Sequence, residues 1–440
     1  RADGQASPSR GVKVLGIADS DSYTKWGASI LSRMPAEWHR SLTIIRTPAL
    51  PSDAQLTAVL EGTAFGVDAT PKVDLNDLAA LIGRERPDVI LLSVRGPVVR
   101  VLVRMIAASA AQRPFIVSGL PGISIPATLL ALYYRSQVDL LILHSKREIA
   151  AFRSLAEHWG IEQDFGLATL PFLARSRRSA VGDDIVFAAQ AKVPRSLIDR
   201  EQLVGWLVET ARQQPERRVV LKLRAAAGET QTHAERYPLD EILARVPDVP
   251  NNLVVSTGSM PAHLERAAAL VTVSSTAALE AAAMGVPVLI LDDFGVSASM
   301  INLVFDDSGL LGSSDDLIAG RYRTPDSGWL DENYFHEASG ETWISAIEAG
   351  VRRRAETEFP LRPQFRGTLG GNVRRVWDRK RALGRYDRSV GGYLALAVGM
   401  PLRGAVRRAR AIRARVVGSK PVEERQTQRV DSVDGDRVGR

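Results

Sequence analysis

Ser274, Ser275 and Thr276, with Glu280 four residues on, bring three hydroxyls and a carboxylate together behind a short apolar run, Leu270 to Val273. Such a run has the composition of a buried parallel strand. Ala277 to Met284 is helix-forming, Gly285 and Pro287 stop it, and Val286 to Leu291 reads as the next strand. A hydroxyl-rich turn between a parallel strand and a helix N-terminus suits phosphate, because free N–H groups and the positive end of the helix dipole point outward there. Glu280 is one residue too far from Thr276 for a capping box, so its carboxylate is free to accept from a sugar hydroxyl. The hydroxyls alone also read as a plain helix cap. The added carboxylate and the G-V-P-V that leads into a second buried strand are more than a cap needs.

Ligands of doubly wound sheets sit beyond the C-terminal ends of strands, which nominates further loops. Asp19 and Asp21 form a D-S-D after the first strand. That spacing fits a metal-binding D-x-D, a general base for an acceptor hydroxyl with Asp19 ahead of Asp21, or a helix cap. Gln190 and Lys192 follow the strand at 185–189. Lys222 and Arg224 alternate along another, and Arg224 is favoured because a guanidinium binds phosphate bidentately. Ser256 and Gly258 lie in a polar loop beyond another strand, ahead of the helix that leads to the hydroxyl turn. On the acceptor side, Gly119 and Gly122 allow close backbone approach, and Arg135 and His144 read equally as ligand-facing or structural. No G-x-G-x-x-G, phosphate-binding P-loop, G-x-S-x-G or H-E-x-x-H occurs. With no cysteine there is no thiolate chemistry and no zinc–cysteine site. No metal and no cofactor is assigned.

The elements that must position these residues alternate regularly. Apolar strands are read at 11–18, 42–46, 88–94, 115–118 and 140–144, with helices between them, and 50–73 is weakly patterned. A polar break at 176–184 is followed by a second strand–helix series from 185 to 291. The fold class is therefore α/β, two doubly wound Rossmann-like halves facing a cleft. The expected divisions are 11–175 (acceptor side), 183–345 (nucleotide-sugar side), 346–384 (helices crossing back) and 385–440 (a basic tail, partly disordered).

The chain has 440 residues, 45% of them hydrophobic, and a net charge of +7. The stretch from Arg385 to the end carries the whole excess and leaves the rest neutral. A neutral body and a tail without interleaved aromatics argue against nucleic acid. Arg403, Arg407, Arg408, Arg410, Arg413 and Arg415 follow an apolar stretch, a pattern suited to an anionic membrane surface. The first residues lack a signal-peptide core and no run spans a bilayer, so the expected location is cytoplasmic, peripheral on the inner face of the membrane.

The segment S-S-T-A-A-L-E-A-A-A-M-G-V-P-V resembles the donor-site segment of GT-B glycosyltransferases, and its paired hydroxyls resemble the serine motif of bacterial sialyltransferases and capsule transferases. The whole chain resembles an actinobacterial group of glycosyltransferases. The resemblance implies transfer of a sugar from CMP-sialic acid or another CMP-nonulosonic acid to a cell-surface glycan or lipid-linked acceptor, without a metal. It also implies hydroxyls on the donor phosphate and a first-domain Asp as base. The acidic-acidic-glycine motif and the His-Pro of those enzymes are absent here. A GT-B-like epimerase, a polyol-phosphate transferase and a non-catalytic scaffold remain the alternatives.

Overall fold

The computed structural model describes residues 11–110, 112–171, 173, 181–223, 235–357, 359–365, 371–395 and 397. Arg224, most of the polar break at 176–184 and the Arg403–Arg415 segment lie outside the described residues.

Two parallel sheets carry the fold. The first contains β1 (Lys13–Ala18), β2 (His39–Ile45), β3 (Lys72–Val73), β4 (Val89–Ser93), β5 (Phe115–Gly119), β6 (Leu140–Leu143) and β7 (Asp164–Leu167), in the order 3-2-1-4-5-6-7. The second contains β8 (Asp184–Ala188), β9 (Val219–Lys222), β10 (Leu253–Ser256), β11 (Ala267–Thr272), β12 (Val288–Leu291) and β13 (Leu311–Gly312), in the order 10-9-8-11-12-13. Around the first sheet run α1 (Asp21–Ser32), α2 (Asp53–Leu60), α3 (Leu75–Glu85), α4 (Gly96–Ser109), α5 (Leu129–Arg135) and α6 (Lys146–Trp159). With the second come α7 (Leu197–Gln213), α8 (Leu239–Leu243), α9 (Met260–Leu264), α10 (Ala277–Ala283), α11 (Ser314–Ile318) and α12 (Ser327–Glu332). The central strands are apolar throughout because helices cover both faces; every residue of β4, β5, β6 and β12 is buried.

The weakly patterned stretch after Leu50 is more ordered than its sequence suggests. Ser52 and Gln55 form a capping box that starts α2: the Ser52 hydroxyl accepts from the Gln55 amide and the Gln55 side chain accepts from the Ser52 amide. β11 begins at Ala267, three residues before the apolar run at Leu270, because pairing with β8 overrides the weak strand preference of alanine.

The last helices, α13 (Trp343–Glu356) and α14 (Gly371–Leu383), pack on the first sheet's layers. Trp343 and Ile347 share a core with Val117 and Ile142. Gly350 admits the Phe115 ring, which would stand 2.2 Å from any Cβ there. Ala382 and Leu383 of α14 join the core that holds Val98 and Leu102 of α4.

The two halves meet at the N-terminus of α6. The Glu148 carboxylate is fully buried and accepts from the Tyr334 hydroxyl of the second half at 2.7 Å, the Ser124 amide at 2.7 Å and the His144 amide at 2.9 Å. Burial pushes this carboxyl up, against the pull of the Tyr334 hydroxyl and the two amides. Around it, Lys146 pairs with Asp331 at 2.6 Å and Arg147 donates to the carbonyls of Leu303 and Val304. Replacing Tyr334 by Phe leaves a buried carboxylate one donor short. The expected loss is roughly 1–3 kcal/mol of stability in urea unfolding; an unchanged midpoint would show that the hydroxyl contributes nothing to the joint.

Candidate active-site cleft

The turn after β11 faces the first half of the molecule. The Thr276 side chain lies 4.0 Å from where a Cβ on Gly122 would stand, so the Gly122 loop and the hydroxyl turn confront each other with little space between. The three hydroxyls are not equivalent. Ser274 is buried and donates to the Ile301 carbonyl, so its hydroxyl is already used. Ser275 accepts from the Ala277 amide at 3.2 Å, a local turn-stabilising bond. The Thr276 hydroxyl has no hydrogen-bond partner among the described residues. Thr272 supports the turn from below, donating to the Ala188 carbonyl and accepting from the Ser275 amide. Gln190, at the end of β8, donates to the Ser274 carbonyl at 2.7 Å, while its own amide oxygen is buried without a partner among the described residues. α10 has only seven residues, so its dipole adds little and the side chains must supply most of the recognition.

Glu280 stands one turn into α10, half-buried, and accepts no hydrogen bond among the described residues. Burial pushes its carboxyl up, while the ammonium groups of Lys25 and Lys222 pull it down. Lys25 belongs to α1 and Lys222 to β9, so this carboxylate feels cations from both halves. Lys25 ends the polar stretch after β1 that reads as a ligand-facing loop, a stretch the fold turns into the start of α1.

Asp19 differs from the expected free base. It is fully buried, and Arg95 donates to it twice, from the backbone amide at 3.1 Å and from Nε at 2.7 Å. Burial pushes the Asp19 carboxyl up, against the pull of Arg95. Arg95 in turn donates to the Thr47 hydroxyl at 2.9 Å. Asp19 therefore holds Arg95 at the mouth of β4. Asp21, in the first turn of α1, stays partly exposed, and its carboxylate accepts among the described residues only from the neighbouring Ser22 hydroxyl, at 3.3 Å.

Other nominated residues are engaged within the fold or lie away from the turn. Gly119 is needed because the Trp26 indole would lie 2.2 Å from a Cβ there. His144 sits in the core with both ring nitrogens engaged: Trp26 Nε1 donates to Nε2 at 2.7 Å and Nδ1 donates to the Ala168 carbonyl at 2.9 Å. Ser256 bonds His263, whose other nitrogen holds the Ser259 carbonyl, so this serine stabilises α9. Gly258 adopts a positive φ of 100°, which the loop geometry demands. Arg135 is 2% exposed and donates to the Ser118 and Tyr23 hydroxyls and the Val94 carbonyl. Lys192 reaches from the second half to a cavity in the first.

Burial lowers the His144 pKa from 6.5 to about 4. The unfolded chain thus binds a proton there that the folded chain refuses, and stability falls as pH drops from about 6.5 toward about 4. Denaturant titrations at several pH values across that window should show a steeper loss for wild type than for His144→Asn. Parallel pH profiles would mean that His144 is not held neutral.

The fold is shared with solved structures at low identity. A "putative UDP-N-acetylglucosamine 2-epimerase from Listeria monocytogenes" is 13% identical, with 81% of this chain and 100% of that chain covered at a TM-score of 0.50. The UDP-GlcNAc 2-epimerase from Neisseria meningitidis bound to UDP-GlcNAc is 11% identical, with 79% and 100% covered and a TM-score of 0.43. UGT2 from Phytolacca americana, complexed with UDP-2fluoro-glucose and pterostilbene, is 11% identical, with 79% and 95% covered and a TM-score of 0.43. The common architecture is GT-B, two Rossmann-like halves facing a cleft. No curated protein matches the sequence. A family model matches residues 14–350, more than half of the chain, and by that match the protein belongs to the family described as "Putative glycosyltransferase (DUF6716)".

Proposed function

We propose that the protein transfers a sugar from a nucleotide donor, bound at the hydroxyl turn, to a hydroxyl of a glycan or lipid-linked acceptor presented by the first domain. The observation that carries this reading is Glu280. It is a half-buried carboxylate with no hydrogen bond of its own among the described residues, set in the cleft between Lys25 and Lys222. A carboxylate so placed accepts from sugar hydroxyls, while the two ammonium groups attract phosphate. Thr276, four residues before Glu280, faces the Gly122 loop of the first half. Family membership supports the transferase reading.

In the proposed step the acceptor oxygen attacks the anomeric carbon as the bond from that carbon to the donor phosphate breaks. The electron pair leaves on the phosphate oxygen, where Lys25, Lys222 and Thr276 stabilise it. The acceptor proton passes to a first-domain carboxylate. Asp21 suits this role better than Asp19, since both Asp19 oxygens are occupied by Arg95. Because the Ser274 hydroxyl is used by Ile301, the turn no longer favours a CMP donor over a UDP donor, and the donor is proposed only as a nucleotide sugar. Epimerisation of the same donor is the second reading, resting on the likeness to an epimerase along the whole of that chain.

Titration calorimetry with CMP, CDP, UDP and GDP and their sugars should find one nucleotide that binds. Glu280→Ala should weaken the matching nucleotide sugar by roughly 1.5–3 kcal/mol. A folded Glu280→Ala protein with unchanged affinity would remove Glu280 from the site. Asp21→Asn should cut turnover by roughly a hundredfold to ten-thousandfold and spare donor binding. Asp19→Asn should instead lower stability by roughly 1–3 kcal/mol, because the buried amide keeps one acceptor oxygen where Arg95 uses two. Full turnover in Asp21→Asn would overturn its role as base. Conversion of the donor to its epimer without an acceptor would establish the second reading.

A further inference from the structure

A cavity of about 600 Å³ lies in the first domain beside the cleft, bounded by the N-terminal half of α4, by α5 and by α14. That volume is in the range of small-molecule sites. Its lining includes Arg95, Arg100, Arg104 and Arg135 from the first domain, Arg381 from α14 and Lys192 from the second domain. Asp378 is the acidic residue among the lining, and it already pairs with Arg374 at 3.0 Å.

What marks this cavity is how its arginines are left. Elsewhere, buried arginines pair with carboxylates: Arg113 with Asp139 at 2.6 Å, Arg354 with Asp88 at 3.1 Å, and Arg200 with Glu235. Arg100 and Arg135 are 7% and 2% exposed, yet neither pairs with a carboxylate among the described residues. Arg135 has only neutral acceptors. Arg100 stacks over the Tyr133 ring at 4.2 Å, and its Nη2 is buried with no hydrogen-bond partner among the described residues. Arg104, one turn further along α4, donates to the Gln364 side chain at 2.7 Å. Burial, then the neighbouring Arg100 charge, pulls its pKa below the usual arginine range. An uncompensated buried cation is costly, so a cluster of them fits a site completed by an anion.

We propose that this cavity holds the phosphate of a phosphorylated acceptor, with Arg100 and Arg104 donating to its oxygens and Tyr133 and Tyr134 walling the group attached to it. The assignment as acceptor, rather than as an independent anion ligand, rests on the transferase reading above. Lys192, arriving from the domain that holds the hydroxyl turn, places the cavity at the edge of the cleft, and Ser22 and Tyr23 of α1 line the same space. The phosphate could be that of a soluble sugar phosphate or of a polyprenyl phosphate in a membrane; the guanidinium chemistry is the same.

The test uses the full chain and three titrations. Glucose 1-phosphate is compared with glucose, vesicles containing polyprenyl phosphate are compared with phosphatidylcholine vesicles, and UDP and CMP are titrated separately. Each is repeated with Arg104→Gln, at the partly exposed edge of the cavity, and with Arg100→Gln, circular dichroism confirming the fold. The expected result is binding of at least one phosphate probe but not of its neutral control, weakened roughly tenfold or more in either variant, with nucleotide affinity unchanged. Weakening confined to glucose 1-phosphate assigns a soluble ligand, and weakening confined to vesicle retention assigns the lipid. Failure of both probes to bind wild-type protein that still binds a nucleotide overturns the anion site and leaves the donor reading standing. Binding of a phosphate probe that both folded variants retain in full overturns it as well. Loss of phosphate binding in the variants of a protein that binds no nucleotide keeps the anion site and removes the donor reading.

Discussion

The position of the two domains depends on one carboxylate that has been taken wholly out of water. An ionised Glu148 in that setting is tolerable only while its donors are present, and they come from both sides of the boundary. Two are backbone amides in the loops that follow β5 and β6, and the third is the Tyr334 hydroxyl. The Ser124 amide is two residues from Gly122, and Gly122 is the point at which the first domain meets Thr276. The same contact that joins the domains therefore sets the width of the cleft at the hydroxyl turn.

Charge is handled in two ways in the first domain. At the end of β1, Asp19 meets Arg95 in a closed pair whose bonds are satisfied, and the result is a fixed guanidinium. A few residues along α4, cations are buried with aromatic and neutral company instead. Packing alone does not require arginine at those places, since the positions around them, Val98 to Ile106, are otherwise valine, leucine, isoleucine and methionine. The second domain's hydroxyl turn follows the first pattern: Gln190, Thr272 and Ile301 hold it in shape and leave Thr276 and the Glu280 carboxylate as the groups still open.

Much of this architecture could be read from the chain. The apolar runs at β1, β4, β5, β6, β8 and β12 are long enough and branched enough to mark buried parallel strands, and the alternation with helices implied two doubly wound sheets. The short edge strands β3 and β13 have two residues each and no pattern to find. The hydroxyl turn and Glu280 were legible because their types and spacing are unusual. Which hydroxyl is free was not, because Ile301 reaches Ser274 from 27 positions away. The burial of Asp19 and His144 likewise depends on Arg95 and Trp26, distant partners that no local window pairs with them. Arg100 and Arg104 did leave a trace: two arginines four apart on an otherwise apolar helix place charge where periodicity asks for core.

The return of α13 and α14 to the first domain has a consequence for how the chain is made. Trp343 and Ile347 complete the core beneath β5 and β6, and Leu383 completes the one beside α4. A ribosome delivers the first sheet's strands long before it delivers these residues. Domains made early in synthesis usually close early, but here the last core residues of the earlier-made half are made after every strand of the later-made one. The second sheet, whose strands run from Asp184 to Gly312, has its full complement first. Until the helical end emerges, the first sheet keeps an apolar face open on the side that α13 will cover.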